Sequence, residues 1–135
     1  MVKPPLTATL VWLGDLRFSA VCGSSQMTVD SDGVAGPTPP QAVAVGLAGC
    51  MAIDVVDIVT KGRHPISGLE TSLVGRRLDD PPRRFVSFVV HFKVTGAVPD
   101  AVVARAIELS RDKYCTVWHS LRSDITLDTS FEVLP

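Results

Sequence analysis

The stretch Thr38-Pro39-Pro40-Gln41-Ala42-Val43-Ala44-Val45-Gly46-Leu47-Ala48-Gly49-Cys50-Met51-Ala52-Ile53-Asp54-Val55-Val56-Asp57-Ile58-Val59-Thr60-Lys61-Gly62 decides the fold. It opens with threonine at the cap, proline at the first helical position and glutamine three residues after the cap, which together form a capping box. The helix is expected to run from about Pro39 to about Lys61, with Gly62 placed to stop it. Between these ends, Val43, Val45, Leu47, Met51, Ile53, Val55, Val56 and Ile58 leave no polar face, so the helix must be covered on every side. One small sheet cannot do that. A partner chain is expected to cover the rest, and Gly46 and Gly49 would admit another helix at close range. Asp54 and Asp57 need partners in such a setting. A bond from helix to sheet or between chains is expected of them, rather than acid–base catalysis.

Working outward, Leu6 to Leu13 alternates apolar residues with threonine, and Gly14-Asp15 turns the chain into Arg17 to Cys22, which predicts a hairpin. Gln26 to Asp30 is a candidate third strand, and Ser31 to Pro37 a loop. Beyond the helix, Ile66 to Arg76 and Phe85 to Val94 read as antiparallel strands joined by Asp79-Asp80-Pro81-Pro82. In the second of these, Val86, Phe88, Val90, Phe92 and Val94 face one way, with Ser87, His91 and Lys93 on a solvated side. Pro99-Asp100 starts another helix, Lys113-Tyr114-Cys115 breaks it, and a short third helix is expected to about Arg122. Ile125, Leu127, Phe131 and Val133 alternate as a last strand. The order predicts an α+β fold, an antiparallel β-sheet packed on a long central helix.

The chain has 135 residues, 13 basic and 14 acidic side chains and a formal net charge of -1. That length suits one domain, residues 1–135, which buries roughly two-thirds of its unfolded surface. No basic stripe or aromatic platform suggests nucleic acid. A membrane span needs about 18 or more apolar residues in a row, and Ala42 to Val59 is interrupted by Asp54 and Asp57. No secretory signal opens the chain, and three cysteines do not suggest a secreted disulfide framework. A soluble protein of the reducing cytoplasm is expected, with no membrane or nucleic-acid partner.

Three cysteines remain as candidate chemistry. Cys50 lies deep in the long helix, beyond the reach of the helix dipole. It is either a small buried hydrophobe or a thiol that needs a cation from elsewhere in the fold. Cys115 stands near a helix start, close in sequence to Arg111, Lys113, His119 and Arg122, which favours a thiolate there. Cys22 shares a strand face with Phe18 and Ala20 and is expected in the core. Cys115-x-x-x-His119 could offer two metal ligands, but no further ligand stands at a recognisable spacing, so neither metal nor cofactor is expected. Arg76, Arg77, Arg83 and Arg84 with Asp79 and Asp80 read as a charged hairpin tip.

Gly36-Pro37-Thr38-Pro39 leading into Gly46-Leu47-Ala48-Gly49-Cys50-Met51-Ala52-Ile53-Asp54-Val55-Val56 resembles the central helix of the OsmC/Ohr family. Lys113-Tyr114-Cys115-Thr116-Val117, 65 residues beyond Cys50, resembles its second cysteine motif. Lys61-Gly62-Arg63-His64 and Arg76-Arg77 with Pro81-Pro82-Arg83 resemble its YhfA-like branch. The resemblance implies an intertwined homodimer and a thiol-dependent peroxidase acting on organic hydroperoxides or hydrogen peroxide. Cys50 would attack the peroxide and become a sulfenic acid, Cys115 would resolve it as a disulfide, and an external dithiol would reduce the product. This order differs from the local reading, which favours Cys115 as the thiolate. The family's activating arginine falls loosely on Arg17, with Arg76 or Arg77 as substitutes, and its glutamate position is occupied by Gln41 or Pro40. A neutral amide can hydrogen-bond an arginine but cannot form an ion pair with it. A small-molecule-binding or redox-sensing protein on the same scaffold is the alternative.

Overall fold

Near the N-terminus the chain turns at Gly14 and Asp15, both in left-handed backbone (φ 111° and 46°), a conformation that glycine and aspartate tolerate best. The turn pairs β1 (Thr9–Gly14) with β2 (Arg17–Cys22), and β3 (Ser25–Asp30) adds to the far edge, giving the antiparallel order β1-β2-β3. The computed structural model describes residues 2–135, which form two compact units, one ending at Val43 and the other spanning Ala44–Pro135.

In the first unit, Asp30 is the organising residue. Its carboxylate is almost fully enclosed and accepts hydrogen bonds from the backbone N–H groups of Asp32, Val34 and Ala35 and from Arg17 Nε at 3.1 Å. These bonds, with the Ala35 and Asp32 amides foremost, hold its pKa down at about 2, because each stabilises the charged form. Leu10, Val11, Trp12, Leu13 and Val21 are exposed. Cys22, expected in the core, is exposed as well. The period-2 pattern correctly placed it on one face, but this three-stranded sheet has no second layer within its own unit.

α1 (Pro39–Lys61) begins as expected. Thr38 Oγ1 accepts from the Gln41 N–H at 3.2 Å, and Gln41 Oε1 accepts from the Thr38 N–H at 2.9 Å. At its C-terminal end the left-handed residue is Arg63 (φ 63°), one position beyond the glycine expected to stop it. By length and composition α1 could cross a membrane. Leu47, Met51, Val55 and Val59, spaced at four residues, instead form a single stripe buried in the core. Val45 and Ile53 on other faces are 67% and 71% exposed, so the chain itself covers one side of this helix and no more.

The second unit holds a sheet of order β4-β5-β6, with β4 (Gly68–Arg77), β5 (Phe85–Thr95) and β6 (Thr126–Leu134). β4 and β5 are antiparallel. β5 and β6 run parallel, so the expected all-antiparallel sheet is mixed. The cause is the connection: α2 (Asp100–Leu109), a π-type turn (Ser110–Tyr114) and α3 (Thr116–His119) intervene, and a crossover of that length returns the chain in the same direction. Phe88, Val90, Phe92 and Val94 of β5 are fully buried, as their alternation predicts, and form one core with the α1 stripe and with Val103, Ala106 and Ile107 of α2. Each buried Val, Leu, Ile, Met or Phe side chain contributes roughly 1.5–3 kcal/mol through burial.

Candidate functional site

The site is built from one interruption in a helix. α2 ends at Leu109, and the next five residues widen into a π-type turn in which the Cys115 N–H donates to the Ser110 carbonyl at 2.8 Å. Such a turn throws the chain out of the helix, and π-type bulges are frequent at functional sites. Cys115 leaves in extended backbone (φ -71°, ψ 101°) and caps α3, its Sγ accepting from the Trp118 N–H at 3.4 Å. The cysteine is therefore aimed inward, where it is fully buried. Across from it, α1 presents Cys50, half-buried and packed against the same core. Cys50 is near enough to help raise the pKa of the Cys115 thiol, and both are free thiols.

The electrostatics reverse the sequence expectation for Cys115. Its pKa is pushed up to about 11, first by burial, then by the hydrogen bond and charge of Cys50 and by the charge of Asp54; the Trp118 amide alone pulls it down. The basic residues close in sequence do not offset this. Arg111 and Lys113 are exposed on the turn, and Arg122 makes a bidentate bond to Asp124 at 2.9 and 2.7 Å. α3 has four residues, too few for a substantial dipole.

Asp54, one helical turn beyond Cys50, accepts a hydrogen bond of 2.8 Å from Ser110 Oγ. Asp57 instead pairs with Lys61 on α1 itself at 2.9 Å. Asp54, Asp57, Ile58, Lys61, Leu109 and Tyr114 line a cleft of about 470 Å³. Ser110 had no signal in the sequence: the break was expected at Lys113-Tyr114-Cys115, whereas the π-type turn begins at Ser110 and the burial of that residue depends on it.

The structure thus brings Cys50 and Cys115 together. Arg17 and Gln41 belong to the first unit and are engaged there, Arg17 by Asp30 and Gln41 by Thr38. Arg76 and Arg77 lie exposed at the end of β4. His91, expected to be solvated, bonds Ser130 Oγ at 2.8 Å and Glu132 at 3.3 Å across the β5–β6 pair. Among the described residues no three His, Cys, Asp or Glu side chains gather as a metal site.

Comparisons with known proteins agree with this architecture. "Protein YhfA" of Escherichia coli K12 is 37% identical over 132 residues, covering 96% of this chain and 98% of that protein. The OsmC-like protein of Mycoplasma pneumoniae superposes with a TM-score of 0.86 at 16% identity, over 99% of this chain and 100% of that one. An organic hydroperoxide resistance protein OsmC from Legionella pneumophila superposes with a TM-score of 0.69 at 17% identity, over 98% and 100%. At such identities these two structures speak to the fold alone. The profile of the OsmC-like proteins matches residues 30–130. On that match and the near full-length identity to a relative, the chain belongs to the OsmC-like protein family.

Proposed function

We propose that the chain is a thiol-dependent peroxidase in which Cys50 reduces organic hydroperoxides, or hydrogen peroxide, and Cys115 resolves the product. The Cys50 thiolate attacks the O–O bond, one oxygen stays on sulfur as a sulfenic acid, and the other leaves as an alcohol or water after taking a proton. The Cys115 sulfur then displaces the sulfenic hydroxyl, its proton leaves with that hydroxyl as water, and a disulfide forms. An external dithiol restores both thiols by exchange. The observation that carries this reading is the meeting of two free thiols from separate elements in a partly enclosed setting. Residues 1–135 work as one domain in this scheme, and a second copy covers the apolar faces of α1 and of the β1–β3 sheet.

The reading is tested by peroxide consumption in two variants. Cys50→Ser is expected to abolish turnover, whereas Cys115→Ser is expected to leave a sulfenic acid on Cys50 that dimedone traps. Equal activity in both variants would overturn it.

A second reading, a redox sensor or small-molecule-binding protein, is favoured by a specific feature. Arg17 is bonded to Asp30, Gln41 is closed into the capping box, and among the described residues no Lys or Arg hydrogen-bonds Cys50. A Cys50 thiolate that titrates near the free value of about 8.5, in a protein without turnover, would support it.

A further inference from the structure

We propose that Asp54 and Ser110 form a positioning pair that holds Cys115 as the protonated, waiting thiol of the couple, so that Cys50 meets an oxidant first. The order of the two cysteines rests on the peroxidase reading; the action of the pair on Cys115 does not.

Ser110 is fully buried, and a buried hydroxyl without a partner would cost about 1–3 kcal/mol. Its hydroxyl donates to Asp54. Its backbone N–H bonds the carbonyls of Ala106 and Ile107, and its carbonyl takes the Cys115 N–H. One residue is thereby fixed on three sides, and it joins the carboxylate on α1 to the backbone that aims Cys115. Loosening either end frees the π-type turn. The joint also keeps a negative charge beside the cysteine pair, and a nearby anion disfavours the thiolate.

Among the described residues, the charges that act on Cys115 are those of Cys50 and Asp54. α1 brings Cys50 and Asp54 to the site. β5 and β6 present apolar side chains to this core, Phe88, Val90, Phe92, Val94 and Leu127. Arg111, Asp112 and Lys113 on the turn and His119 on α3 are exposed. The direction of the Cys115 shift agrees, since Asp54 is among its causes.

Two variants separate charge from attachment. Asp54→Asn keeps an acceptor for Ser110 and removes the charge; Ser110→Ala keeps the charge and removes the joint. Each is placed in a Cys22→Ser/Cys50→Ser protein, so that Cys115 is the thiol that iodoacetamide reads, with folding checked by circular dichroism. At pH 8 the rate of Cys115 alkylation is expected to rise about three- to tenfold in Asp54→Asn, tenfold corresponding to one pKa unit. A smaller rise is expected in Ser110→Ala, and this variant carries the test if the other does not fold. Unchanged rates in the folded variants would reduce the pair to a strut between helices and overturn the proposal. In the Cys22→Ser/Cys50→Ser protein, peroxide followed by dimedone is expected to leave Cys115 unlabelled with Asp54 in place, and to label it in part with asparagine there. A protein that never forms a sulfenic acid but still shows the alkylation change would sustain the pair and remove the peroxidase.

Discussion

At Cys115 several effects compete, and burial wins. A cysteine at a helix start beside basic residues would ordinarily ionise early, but here the helix is four residues long, the cations face solvent and the sulfur is enclosed. A thiol whose pKa is raised in the folded protein favours folding fully below its unfolded value, 9.0, and that contribution is lost as pH rises through about 11. Cys115→Ser is therefore expected to flatten the decline of thermal stability between pH 9 and 11, measured as Tm against pH. Asp30 has the opposite sign. Its folded value of about 2 lies below its ordinary 3.8, so its contribution is present above 3.8 and lost as pH falls through 2. Asp30→Asn is expected to lower Tm at neutral pH and to remove much of the acid sensitivity between pH 4 and 2; an unchanged acid limb would contradict the role given to this carboxylate. Both cysteines could be named from the sequence, whereas Ser110 could not, because the break was expected three residues later and its wide turn is set by the packing of the fold.

At the scale of elements, the start of α1 was the most legible feature, because a capping box is closed by residues three apart in sequence. Thr38→Ala is expected to cost about 1 kcal/mol, read as a fall in Tm of about 3–5 °C. The loop before it is held by contact that no pattern announces. A Cβ on Gly36 would stand 2.8 Å from the carbonyl carbon of Thr28, so Gly36→Ala is expected to displace the loop and expose the Asp30 carboxylate, seen as faster amide exchange at Val34 and Ala35. β5 was read correctly as a half-buried strand from its alternation. The direction of β6 was not, because the strand's own residues say nothing about which neighbour it joins or from which end. That is set by the crossover through α2 and α3, which delivers β6 parallel to β5.

For the whole molecule, the decisive fact is a helix apolar on all sides with one side covered. Val45 and Ile53 of α1 are largely exposed, as are Leu10, Trp12 and Leu13 of β1, more apolar surface than a lone soluble chain ordinarily shows. A dimer that covers these faces is expected in sedimentation equilibrium at micromolar concentration. Ile53→Asp is expected to shift it toward monomer and to lower Tm, since a buried unpaired charge is costly. A wild-type protein that sediments as a monomer would show that these faces are left bare.

By itself the sequence determined most of the elements, the all-round apolar character of α1 and its need for a cover beyond one small sheet. All of these follow from periodicity, caps and residue type within about one or two dozen neighbouring positions. Only the tertiary structure decided that Cys115 is the enclosed thiol, that Asp54 reaches it through Ser110, that Arg17 is engaged by Asp30 and that Cys22 lies open. Each of these depends on which distant groups share a small, partly dry volume. There the energy of a charge is set by its neighbours and its desolvation, and not by its place along the chain.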